Sequence, residues 1–116
     1  MALAVVGLMV AAGSWIAAGE TLGHPNRGEA MYRAHCLRCH GEVGDGRGPE
    51  ANDLIVPPTD FRTPPSRAWS DFELLIAISN GVLFSPMHSW RGRIADEDMF
   101  HVIDYVRVLA PTVPYL

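Results

Sequence analysis

The chain has 116 residues, 48% of them hydrophobic, and its nine arginines, with no lysine, stand against thirteen acids for a formal net charge of −4. That length holds one small domain, and an acidic balance without a basic stripe excludes the electrostatic footprint of a nucleic-acid binder. All the acids follow Gly19, so the negative charge belongs to the part that folds.

Ala2 to Gly19 is an uncharged run whose one hydroxyl is Ser14, and it reads as an export signal or a membrane helix rather than a core element. As a helix it would span about 27 Å, close to the hydrocarbon thickness of a bilayer. The small residues Ala17, Ala18 and Gly19 fit a cleavage site, whereas the lack of basic residues ahead of the run fits retention as an anchor. Residues 1–19 are thus a signal or an anchor, residues 20–116 are the domain, and under either reading the domain is exported to the periplasm.

The first helix is expected from Asn26, where Asn26 and Glu29 stand at N-cap and N3 spacing. It runs through Ala30, Met31 and Ala34 to the cysteines, with Gly28 leaving one face flat enough for another helix to cross. From Gly41 to Trp69 glycines and prolines cluster without any period. So long a loop belongs in a small domain only when it is functional and wraps something. SDFELLIAISNG predicts a second helix, with Ser70 and Glu73 as a capping box, Phe72, Leu75, Ile76 and Ser79 at helical spacing, and Asn80-Gly81 as the stop. DEDMFHVIDYVRVLAP predicts a third. Asp96, Glu97 and Asp98 suit its N-terminus, Met99, Val102, Ile103, Val106 and Leu109 form its stripe, and Pro111 ends it. No stretch alternates convincingly as a strand and there is no internal repeat, so the class is all-α with long loops.

The two cysteines, Cys36 and Cys39, are two residues apart, with His40 directly after. Two thiols about one helical turn apart can add across the two vinyl groups of a haem, and the next imidazole then reaches the iron as proximal ligand. A disulfide would close only a tiny loop and leave the long loop unexplained. A thioredoxin-like pair wants a strand before it in a βαβ setting, and structural zinc normally takes four ligands from two separated pairs. Haem attachment is the chemistry that uses all three residues at this spacing.

With YRAHCLRCHGEVGDGRGPEANDL, then SPMHSW, then MFHVIDYVRVL, in that order, the chain resembles a small class I cytochrome c over nearly everything after Pro25. The resemblance implies a cytochrome c fold of about three main helices with long loops wrapped around one haem c, covalently held by Cys36 and Cys39. It implies that the motif helix crosses the C-terminal helix, Gly28 and Tyr32 meeting the face that carries Tyr105. It further implies His40 and Met87 as iron ligands, with the carbonyl of Pro49 accepting the Nδ1 proton of His40. Family members commonly carry proline after that methionine; here His88 stands there, an imidazole able to compete for iron or to sit at the haem edge. Met31 and Met99, at helical spacing, are expected in the core. Trp90 is expected at the haem pocket, with Trp69, Phe61, Phe84 and Phe100 as further candidates for its wall. Arg62 and Arg67 are candidates for propionate partners or for plain surface, and His24, His35 and His101 read as solvated.

The function implied by the resemblance is one-electron transfer rather than catalysis, by a monohaem carrier in a respiratory or photosynthetic chain with redox proteins as donor and acceptor. The alternative is a cytochrome subunit of a larger oxidoreductase complex, associated with the membrane through residues 1–19. A haem sensor or enzyme would need an open sixth position, which only the oddity of His88 favours.

Overall fold

The computed structural model describes residues 24–113, and the apolar run of residues 1–19 lies outside them. In chain order the elements are α1 (Pro25–His35), α2 (Leu37–His40), a 3-10 turn (Ala51–Asp53), α3 (Pro64–Arg67), α4 (Asp71–Asn80) and α5 (Asp96–Leu109). Among the described residues there is no strand beyond an isolated bridge between Arg91 and Ile94. The class is all-α as expected, with α1, α4 and α5 as its three main helices.

Helix α1 starts two residues earlier than the Asn26 spacing predicts. Its N-cap is His24 and Pro25 occupies the first turn, where a fixed φ and a missing N–H cost nothing. The backbone N–H of His24 donates to Nδ1 of His101 on α5 at 2.7 Å. His101 is therefore buried, not solvated, because the crossing of α1 over α5 lays the start of one helix on the middle of the other.

Gly28 makes that crossing close, since a Cβ there would land on the backbone carbonyl of His101. One turn on, the rings of Tyr32 and Tyr105 meet with centroids 5.2 Å apart. Tyr32, Val102, Tyr105 and Val106 form the core cluster, and Arg27 of α1 pairs with Asp98 of α5 at 2.8 Å beside it.

Helix α4 carries the expected capping box at Ser70 and Glu73, and Gly81 at φ 73 follows its last residue. Its inward stripe meets the expectation only in part: Ser79 is buried as expected, but other positions differ. Leu74 and Ile78 pack on the core, while Phe72 and Ile76 are exposed. In a helix apolar on both sides, spacing alone leaves the rotation open, because one residue of register turns the face by about 100°.

The long loop wraps α2. The N–H groups of Gly46, Gly48 and Glu50 donate to the carbonyls of His40, Cys39 and Arg38 at 2.8, 3.0 and 2.8 Å. A helix leaves its last carbonyls without partners, and the glycine-rich chain after the motif supplies them.

Candidate functional site

Cys36 joins α1 to α2, its N–H bonded to the carbonyl of Tyr32 at 2.8 Å and its own carbonyl accepting from His40 at 2.9 Å. Nearly continuous helical backbone thus carries both cysteines, and residues three apart share a helix face. No disulfide joins them and both line one cleft. In the polypeptide without an attached group, burial, then the neighbouring Cys39, pushes the Cys36 thiol up to about 12.

His40 lines the same cleft. Its Nδ1 faces the carbonyl oxygen of Thr59 at 3.3 Å. A carbonyl only accepts, so Nδ1 carries the proton and Nε2 keeps its lone pair. Burial lowers the pKa of His40 and the Thr59 carbonyl opposes that shift, which favours the neutral, metal-ligating form. Pro49 does not take the expected part. It is exposed, because Gly48 and Glu50 on either side of it are turned toward the end of α2. The carbonyl that faces His40 comes from a more distant turn, and no local spacing marked it.

The loop after α4 is pinned in several places. Val82 N–H donates to the Met87 carbonyl at 3.0 Å and Trp90 N–H to the Ile78 carbonyl at 3.0 Å, while the Met87 N–H reaches the Ser85 hydroxyl at 3.2 Å. Gly81 is required where this loop leaves the helix, since a Cβ there would crowd the Met87 carbonyl at 2.7 Å as well as strain a positive φ. Met87, His88 and Trp90 all line the cleft. The Nδ1 of His88 donates to the Ser89 carbonyl at 2.9 Å, and its ring packs on Trp90 with centroids 4.5 Å apart.

The other expected wall residues divide. Phe61 stacks on His40, Trp69 and Phe84 are exposed, and Phe100 is absent from the cleft lining. Arg62 pairs with Asp60 at 3.2 Å and Arg67 donates to the Pro111 carbonyl at 2.8 Å, so neither faces the cleft. His35, expected to be solvated, lines it and packs on Trp90 at 5.2 Å. Sequence reasoning also missed Leu54, Val56, Pro57 and Pro58, which line the cleft; the signal was the apolar, proline-rich end of the loop.

The cleft is concave, largely apolar and open at its mouth, the setting in which proteins hold cofactors. A largely apolar cleft lined by two thiols, a neutral imidazole and a methionine fits a haem. Among the described residues no group of three or more His, Cys, Asp and Glu could hold a bare metal ion.

The family profile described as cytochrome c oxidase, cbb3-type, subunit III matches residues 23–106. The chain belongs to this cytochrome c family. As a c-type cytochrome domain it binds haem c covalently, the group through which such domains transfer electrons.

Solved structures share the cytochrome fold. A chain of the Kuenenia stuttgartiensis reducing HAO-like protein complex superposes with a TM-score of 0.66 at 24% identity, covering 77% of this chain and 48% of its own. The cytochrome thus spans about half of that neighbour's length. The c-type cytochrome KustC0563 matches with a TM-score of 0.61 and 23% identity over 72% of this chain and 96% of its own. Cytochrome c6 of the diatom Phaeodactylum tricornutum matches at 0.59 and 21%, over 76% and 95%. No curated protein matches significantly.

Proposed function

We propose that this cytochrome is an exported one-electron carrier with a single haem c, attached through Cys36 and Cys39 and ligated by His40 and Met87. It would move electrons between a quinol-oxidising donor and a terminal acceptor, in the periplasm or at its membrane face. The observation that carries the reading is the convergence of both thiols, the His40 imidazole and Met87 on one apolar cleft.

Haem c supplies a one-electron iron couple whose potential a thioether ligand raises. Cys36 and Cys39 offer two attachment points on one helix face. The Thr59 carbonyl holds the Nδ1 proton of His40 and so presents Nε2 as a ligand of fixed tautomer. The hydrogen bonds around Ser85, Met87 and Trp90 hold the Met87 loop against α4. Apolar side chains on both walls keep water from the reacting centre, which favours little rearrangement on electron transfer.

A second reading, a fixed subunit of a membrane oxidoreductase, is favoured by the description of the family itself. Residues 1–19 would then serve as the anchor. Intact mass and membrane fractionation separate the two: a mature chain lacking these residues supports the carrier, and a retained run supports the subunit.

The ligation is tested on protein made with a cytochrome c maturation system. The expected result is a methionine-to-iron charge-transfer band in the near-infrared of the oxidised form and no response of the reduced form to carbon monoxide. The Met87→Ala variant should lose the band and bind carbon monoxide. Ready carbon monoxide binding by the unaltered protein would overturn the ligand assignment and favour a sensor or enzyme.

A further inference from the structure

We infer that Phe61 is a positioning residue that sets the ring plane of His40, an inference that rests on the reading of His40 as an axial ligand. The two rings lie with centroids 4.6 Å apart and planes only 17° from parallel. The contact between Nδ1 and the Thr59 carbonyl fixes one edge of the imidazole but leaves the ring free to rock about that axis. A flat aromatic face against one side of the imidazole removes that freedom.

Phe61 is itself held from behind. Its N–H donates to the Gly44 carbonyl at 2.8 Å. Gly44 is a seat for the ring, because a Cβ there would stand 3.0 Å from the Phe61 ring and 3.4 Å from Leu109 of α5. Phe61 and Leu109 both pack against the core cluster of α1 and α5. A continuous line of contact therefore runs from the helix crossing through Phe61 to the imidazole, and the same short turn delivers Thr59. One segment of the long loop controls both the tautomer of His40 and the direction its plane faces.

The plane of an axial imidazole directs how unpaired spin is distributed over an oxidised low-spin haem, and the four haem-methyl proton shifts report that distribution. In haem-loaded protein, the Phe61→Leu and Phe61→Met variants, which keep apolar bulk but offer no flat face, should change the order or spread of those shifts. Phe61→Tyr, which keeps the face, should retain the original pattern. In the unaltered reduced protein, cross-relaxation between the Phe61 and His40 ring protons is expected. An unchanged methyl pattern in Phe61→Leu and Phe61→Met, or no Phe61-to-His40 cross-relaxation, would overturn the inference while leaving His40 as ligand. Absence of the strongly shifted signals of a coordinated imidazole in the unaltered protein would instead overturn the ligation reading, and the inference with it.

Discussion

At Tyr32 a single phenol ties the helix crossing to the motif. The side chain is 1% exposed, its ring meets Tyr105, and its hydroxyl donates to the Gly41 carbonyl at 2.7 Å just past His40. Burial raises its pKa well above the ordinary 10.0, so the folded protein keeps the phenol protonated where the unfolded chain releases it. Stability from this group is then full below about pH 10 and is lost as pH rises beyond it. The Tyr32→Phe variant should lose about 1 kcal/mol at neutral pH with this hydrogen bond, the Gly41 carbonyl keeping the Gly44 N–H at 3.3 Å, and its stability should fall less steeply in alkali. Denaturant titrations of both holoproteins at neutral and alkaline pH check this. Other single residues were harder to read. The partner of His40 is Thr59, nineteen residues away, and His101 is buried by a helix whose crossing Gly28 marks on α1 while no local pattern marks its place on α5.

Among the elements, α1 and α5 depend on Gly28. A methyl group there would meet the backbone of α5 and the Cβ of Tyr105 at 3.0 Å, neither of which can rotate aside. Gly28→Ala should cost about 3 kcal/mol, at the upper end for overpacking, and should lower the midpoint of thermal unfolding measured by circular dichroism. Ser70→Ala at the start of α4 removes the hydroxyl that accepts from the Glu73 N–H and should cost about 1 kcal/mol. Both sites were legible because caps and bare glycines act through backbone geometry close at hand. The inward face of α4 was not, since Phe72, Leu74, Ile76 and Ile78 are all apolar and only contact with α5 tells which of them are covered.

For the molecule as a whole, the core among the described residues is slight, drawn mostly from Tyr32 and one face of α5, while much apolar side chain lines the cleft. Small domains with so little interior depend on a staple or a large cofactor. The doubly substituted Cys36→Ser, Cys39→Ser protein, unable to attach haem, should lose most of its far-UV helical signal and its cooperative melt. A melt equal to that of the haem-loaded protein would show that the polypeptide core suffices.

The sequence by itself determined the attachment motif, the three main helices and their capping signals, since each rests on residues a few positions apart. It also marked the chain after the motif as a loop that wraps something. Only the tertiary structure decided the carbonyl that faces His40, the side chain stacked on it, the burial of His101 and the inward face of α4. Those depend on contacts between segments tens of residues apart, where the angle of one helix crossing and the path of one loop choose among partners that local chemistry leaves equivalent.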